Sequence, residues 1–172
     1  MKNKVLLTGN PGVGKTTIIM KVIKDLKNIG GFYTMELREG GERVGFEMIT
    51  LITGKRGMLA HKNFDSIYRV GKYGVNVETF EKIVCEEFSA SFSNNVQLIV
   101  VDEIGRMELF SKKFMKIVED VLKKDVKVLG VIQKRRNPFL DRIRNMKEVE
   151  ILEVNHSNRD EVFKRIKEWL GF

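Results

Sequence analysis

Two short stretches carry residue types that can do chemistry together. Residues 9–16, GNPGVGKT, match the pattern G-x-x-x-x-G-K-[ST] in full. Residues 98–103, LIVVDE, run four apolar side chains into two adjacent acids, Asp102 and Glu103. A glycine-rich turn lets successive backbone N–H groups close around a phosphate chain. A helix beginning near Lys15 then aims its N-terminal donors at the same anion. On this reading Lys15 reaches the β- and γ-phosphates, and the Thr16 hydroxyl joins the coordination sphere of Mg²⁺. Two carboxylates at the end of a buried strand need something positive nearby, and a magnesium-bound triphosphate supplies it. Asp102 fits the metal-holding acid of a Walker-B strand, acting directly or through water. Glu103, one residue on, stands where a carboxylate orients and deprotonates a water for in-line attack on the γ-phosphate.

The phosphate-loop pattern arises by chance on the order of once in a few hundred chains of this length, and less often between a strand and a helix. An apolar run ending in Asp-Glu is, alone, most often a strand end reaching water. The intact loop upstream reverses that reading. By analogy with other P-loop proteins, the acid pair also favours the division in which a further strand separates the phosphate-loop strand from the Walker-B strand.

The elements that must position these residues follow from periodicity. Lys4–Thr8 reads as the first strand. After it, Ile18, Ile19, Val22, Ile23, Leu26 and Ile29 share one helical face, with Gly30 and Gly31 as the expected stop. Residues 32–52 hold two β-rich runs around Gly40-Gly41, the signature of a hairpin. A glycine-bearing loop is expected over 53–74, then a helix over 77–92 entered at Asn76, with Phe80, Ile83, Val84 and Phe88 inward. Unbroken apolarity makes 96–101 a fully buried strand. The spacing predicts a helix over 112–124 capped by Ser111, a strand over 126–132, a short helix after Pro138 and a strand over 149–154. A last helix starts near Asn158, where Asn158 and Glu161 fit a capping box. Strands and helices alternating in this way indicate an α/β fold, a three-layer P-loop architecture with a mainly parallel sheet and an inserted β-hairpin.

At 172 residues, the chain reads as one domain spanning residues 1–172. Its 42% hydrophobic and 31% charged content fits a globular protein and excludes a disordered one. No apolar run approaches the roughly 20 residues of a membrane span. A single cysteine, Cys85, rules out an internal disulfide and sets a reducing, cytoplasmic location as the expectation. The net charge of +8 suits a polyanionic partner, a nucleotide or a nucleic acid, and equally a lysine-rich surface.

The resemblance to a known family becomes specific when several pieces are taken together. GNPGVGKTT (Gly9–Thr17), the hairpin GFYTMELREGGERVGFEMI, RVGKYGV at 69–75 and DEIGRMELFS at 102–111 occur in the order seen in the THEP nucleoside-triphosphatase family, which the chain resembles over most of 4–115. That resemblance implies a RecA-like P-loop fold and slow hydrolysis of ATP, GTP, CTP, TTP and UTP with little base selectivity. It implies nucleotide contact at Gly9, Asn10, Pro11, Gly12, Val13, Gly14, Lys15, Thr16 and Thr17. The second contact segment is Asp102, Glu103, Ile104, Gly105, Arg106, Met107 and Glu108. Thr16 and Asp102 would hold the metal, Mg²⁺; Lys15, Glu103 and Arg106 would act on the reaction. One departure is Arg106, where members often carry lysine, a point charge rather than a fork-shaped donor.

Several residues keep two readings. Arg106 is either an internal arginine finger or a partner of a surface acid. Arg69, Lys72, Arg135 and Arg136 sit in expected loops, either closing over phosphates or solvated. Cys85 is a small core filler rather than a nucleophile. His61 and His156 lack zinc-ligand spacing. Tyr73 either packs or lines the nucleotide pocket, and base contact is expected by stacking on a Phe or Tyr. No N-K-x-D guanine-reading sequence occurs in the chain. Besides hydrolysis, the same cradle serves a small-molecule or nucleic-acid kinase, with the hairpin and the 53–74 loop as an acceptor lid. It also serves a nucleic-acid-stimulated ATPase, although no nucleic-acid motif accompanies the basic balance.

Overall fold

The computed structural model describes residues 1–171. Among them, no helix is long and apolar enough to cross a membrane. In chain order the elements are β1 (Lys4–Thr8), α1 (Lys15–Ile23), β2 (Ile29–Glu39), β3 (Glu42–Thr50), β4 (Arg56–His61), β5 (Arg69–Val70), β6 (Tyr73–Val75) and α2 (Val77–Ser93). Then come β7 (Leu98–Ile104), a single 3₁₀ turn (Glu108–Phe110), α3 (Lys112–Lys123), β8 (Lys127–Ile132), α4 (Pro138–Arg144), β9 (Val149–Glu153) and α5 (Arg159–Leu170). All strands join one sheet in the order β5-β6-β4-β3-β2-β7-β8-β1-β9.

The run β2-β7-β8-β1-β9 is parallel throughout. Because successive side chains of a strand face opposite sides, each buried strand feeds two cores. Val5, Leu7, Val100 and Val131 meet Ile18, Ile19, Val22, Val162 and Ile166 of α1 and α5. Leu6, Ile99, Val101 and Val128 meet the other layer, where Phe80, Val84 and Phe88 of α2 join Phe114 and Val118 of α3 and Leu140 of α4. This is the three-layer α/β architecture expected. β8 stands between β1 and β7, so the phosphate-loop strand and the acid-bearing strand are separated by one strand, as the RecA-like division requires.

The predicted caps hold at two helices. The Asn76 side chain accepts the Thr79 N–H at 3.1 Å, and the Ser111 hydroxyl accepts the Phe114 N–H at 3.0 Å. The capping box of the last helix is absent: Asn158 makes no side-chain cap and instead ties the loop before it, accepting from Asn155 N–H and donating to the Glu153 carbonyl.

Two other expectations are corrected. Gly30 and Gly31 do not stop a helix: α1 ends at Ile23 and both glycines lie inside β2. Their role is close approach. A Cβ on Gly30 would stand 2.1 Å from Ser91 Oγ, and one on Gly31, at φ +95, only 1.9 Å from the Val100 carbonyl oxygen. The expected loop over 53–74 carries β4, β5 and most of β6. β3, β4, β6 and β5 extend β2 as an antiparallel wing, and Leu59, Ala60, Tyr73 and Val75 are buried in the core beneath it. The inserted hairpin is thus one corner of a sheet extension.

Glu87 locks this wing to α2. It is fully buried, and its carboxylate accepts from Gly31 N–H (3.1 Å), Ile52 N–H (2.8 Å), Thr53 N–H (3.0 Å) and the Thr53 hydroxyl (2.9 Å). Removing the acceptor leaves several donors without a partner in a dry site. Glu87→Ala is therefore expected to cost about 3 kcal/mol of folding stability, read as a lowered denaturant midpoint. A loss below about 1 kcal/mol, the net value of a single ordinary hydrogen bond, would contradict this role.

Candidate active site

β1 delivers the chain to Thr8, and residues 9–14 turn it into α1 without any side chain closing the helix start. The N-cap is Gly14 at φ +98, with no side-chain cap and no acid in the first turn. The first N–H groups of α1 therefore stay available to an anion. Asn10, Pro11, Gly12 and Thr17 lie exposed on the rim, whereas Gly9 and Val13 are buried under it. The Lys15 ammonium folds back along the loop, donating to the Gly9 carbonyl at 2.8 Å and the Asn10 carbonyl at 2.9 Å.

The opposite wall comes from β7. The strand does not end at Val101 but continues through both acids to Ile104, with a register irregularity against β8 between Asp102 and Ile104. The Asp102–Glu103 peptide bond is cis. Asp102 is buried, at 1% exposure, and one of its carboxylate oxygens, Oδ2, has no hydrogen-bond partner among the described residues. Glu103 is half-buried, and the chain folds tightly beside it, since a Cβ on Gly105 would sit 2.7 Å from Glu103 Oε1.

Because β1, β8 and β7 are adjacent and parallel, the phosphate loop and the two acids leave the sheet at the same edge, and their charges couple there. Burial pushes the Asp102 carboxyl up to about 7, a rise that the Thr16 hydroxyl opposes by hydrogen bonding, the Glu103 charge strengthens and the Lys15 charge opposes. Burial likewise raises Glu103, with Lys15 pulling the other way. Burial lowers Lys15, and Glu103 and then Asp102 hold it up. Each acid thus senses Lys15 and Asp102 senses Thr16, which no proximity in sequence accounts for.

This coupling sets a pH dependence. The unfolded Asp102 releases its proton near 3.8, whereas the folded one keeps it to about 7. Between those values the folded state binds more protons, so stability falls as pH rises through the window, on the order of 4 kcal/mol in total, and levels off above it. Asp102→Asn is expected to reduce the fall in unfolding free energy across this window, measured without nucleotide, leaving the part that Glu103 and Glu108, also raised by burial, contribute. An unchanged slope between pH 4 and 7 would assign it to other groups.

The remaining predicted positions divide between rim and interior. Ile104, Gly105 and Glu108 are buried, and Met107 packs against the core. The Glu108 carboxyl is raised well above the usual range by burial and then by the Glu103 charge, with backbone N–H groups of its own turn opposing. Arg106 is exposed, and its guanidinium has no hydrogen bond or ion pair among the described residues. Arg69 and Lys72 are engaged within the wing, with Arg69 donating to the Lys72 carbonyl and Lys72 paired with Glu42. Arg136 pairs with Asp141 at 3.0 Å. Tyr73 is core: its hydroxyl accepts from Arg43 Nε at 2.9 Å, and β4, β3 and β2 stand between its strand and β7. Cys85 is half-buried, and burial raises its thiol. Among the described residues no His, Cys, Asp and Glu cluster has metal-cage geometry.

One residue at the site escaped the sequence reading. Gln133, the first residue past β8, donates its N–H to the Ile104 carbonyl at 3.1 Å, and its side-chain Oε1 accepts the Arg106 N–H at 2.9 Å. It pins the start of the 105–108 turn from the strand lying between β1 and β7. Only strand order brings these residues together across a separation of 27 positions.

Comparison with known proteins places the chain in a family. The family model described as NTPase matches residues 4–167. The nucleoside-triphosphatase THEP1 of Thermotoga maritima is 46% identical over 169 residues, covering 98% of this chain and 96% of that protein. THEP1 of Archaeoglobus fulgidus is 40% identical, covering 95% and 96%. The crystal structure of THEP1 from Aquifex aeolicus superposes with a TM-score of 0.89 at 36% identity, covering 98% and 99%. A solution structure of a human cancer-related nucleoside triphosphatase gives 0.81 at 36% identity, covering 98% and 97%. Sequence and fold agree, and the chain belongs to the THEP1 nucleoside-triphosphatase family.

Proposed function

We propose that this nucleoside-triphosphatase works by Mg²⁺-dependent attack of water on the γ-phosphate, taking ATP, GTP, CTP, TTP and UTP with low base selectivity and slow turnover. The observation that carries the reading is that Lys15 and Thr16 follow β1 while Asp102 and Glu103 lie near the end of β7, across one intervening strand at the same edge of the parallel sheet, with charge coupling between the two sets.

The donor set fits a hard divalent ion. A buried carboxylate oxygen lacking a partner and a neighbouring hydroxyl are oxygen ligands, and too few to enclose a metal, which suits Mg²⁺ completed by phosphate and water. Asp102 and Thr16 would hold Mg²⁺, which when bound would supply positive charge against the developing phosphate charge. The backbone N–H groups of Gly12 to Thr16 cradle the phosphates, and Lys15 turns from its loop carbonyls to their oxygens. Glu103 orients a water and accepts its proton as the water oxygen bonds to the γ-phosphorus. The bond from that phosphorus to the β,γ-bridging oxygen breaks, and the electron pair leaves with the nucleoside diphosphate. The raised position of Glu103 brings its basicity closer to neutrality, where a general base is effective. Arg106, held at its N–H by Gln133, stands at the rim with an unpaired guanidinium suited to the transferring phosphoryl group. An arginine outside the cleft until closure accords with slow basal turnover.

The test is phosphate release from each of the five triphosphates in Mg²⁺ buffer with no acceptor other than water. Release from all five, abolished by chelating the metal, is expected. Release only after an acceptor is added would replace the hydrolase reading with a transferase one.

A further inference from the structure

β1 is flanked by β8 on one side and by β9 on the other, and β7 lies beyond β8. A triphosphate whose terminal phosphate faces Asp102 and Glu103 therefore extends its nucleoside toward the β9 side. What meets it there is the connection between β9 and α5. Val154 closes onto the phosphate loop: its N–H donates to the Thr8 carbonyl at 2.8 Å, and its carbonyl oxygen lies 2.4 Å from where a Cβ on Gly9 would stand. The turn that follows is tied by its own side chains. Asn155 Oδ1 accepts from the Ser157 N–H, the Ser157 hydroxyl and the Asn158 N–H at 2.9, 2.7 and 3.0 Å.

At the end of this stiff turn, Arg159 lies along the phosphate loop. Its Cδ and Nη1 are 3.4 and 3.6 Å from the position a Cβ on Gly14 would take. The side chain is exposed, and its guanidinium has no hydrogen bond or ion pair among the described residues. The one aromatic ring in 154–159 is that of His156, and unlike Arg159 it does not come within 4 Å of a Cβ placed on Gly14.

We infer that Arg159 is the platform on which the nucleotide base stacks, a substrate-selecting residue of the hydrolytic site proposed above, on which this inference rests. A guanidinium is planar and stacks on the face of a purine or pyrimidine without reading its edges. It therefore selects nucleotides over bare polyphosphate and does not select one base over another. An arginine takes the part that the sequence reading gave to a Phe or Tyr ring.

The experiment is equilibrium binding, in Mg²⁺ buffer, of non-hydrolysable ATP and GTP analogues and of inorganic tripolyphosphate, which carries no base. Arg159→Ala is expected to raise the Kd of both analogues about tenfold, within the range of a cation–π stack, and to leave tripolyphosphate unchanged. Arg159→Tyr, which restores a flat face, is expected to hold analogue affinity within about threefold of the unsubstituted protein. Equal weakening of tripolyphosphate by Arg159→Ala would show a phosphate contact and overturn the proposal, as would unchanged analogue binding. Failure of the underlying reading looks different: the unsubstituted protein would bind neither analogue nor tripolyphosphate, which overturns both.

Discussion

Lys15→Ala is expected to lower phosphate release from every nucleoside triphosphate by about 10³-fold or more. Two losses add. The first is a charged donor to the β- and γ-phosphates where negative charge builds during transfer, and one such donor is worth about 10²–10³ by itself. The second is local: Lys15 is the cation that opposes the burial-driven rise of both Asp102 and Glu103. Without it the two acids repel each other in a site that already disfavours charge, and both take up protons more readily. A protonated Glu103 no longer serves as base. Steady-state phosphate release measures the effect, and the unfolding midpoint establishes that the variant is folded. A rate within tenfold of the unsubstituted enzyme would rule out the cradle at residues 9–16.

The second large effect is Glu103→Gln. The amide keeps the shape that Gly105 accommodates, the chain being so close that a Cβ there would meet Glu103 Oε1 at 2.7 Å. Nucleotide affinity is therefore expected to stay within about threefold, because a water-positioning base adds little to ground-state binding. Turnover is expected to fall about 10²–10⁴-fold, the range of a lost general base. A pH signature accompanies it. The base must be ionised to act, so activity declines as pH falls through its pKa. Because burial raises that pKa from 4.5, the acid limb of kcat/KM lies at higher pH than for a free glutamate. In Glu103→Gln that limb disappears. An unchanged rate would leave Glu103 a structural role only.

What could be read from the chain depended on how local each signal was. The phosphate loop and the Asp102-Glu103 pair were legible because their chemistry fixes residue types at short spacing, and the strand between β1 and β7 followed from the acids by analogy. The long amphipathic helices were legible too, since α2 and α3 bury a continuous stripe. Of the wing, the β2–β3 hairpin was legible from Gly40-Gly41, but the rest was not: β5 and β6 are two and three residues long, too short for alternation to show, and they sit among the glycines that mark loops. Gly30 and Gly31 misled for a related reason. A glycine pair after an apolar stripe has the pattern of a helix stop, while the need for it comes from Ser91 and Val100, far away in sequence. Asn158 had the right residue type for a cap, but the Asn155 turn claims its side chain. Gln133 and Arg159 gave no signal because their neighbours exist only once β8 pairs with β7 and β9 with β1.

The most direct test is a crystal structure of the protein with Mg²⁺ and a non-hydrolysable nucleoside triphosphate. The expected result has the polyphosphate wrapped by residues 9–16, with the γ-phosphorus between the Lys15 ammonium and a water held by the Glu103 carboxylate, and Asp102 on the metal side. A polyphosphate bound elsewhere, or Glu103 turned away from the terminal phosphorus, would contradict the mechanism.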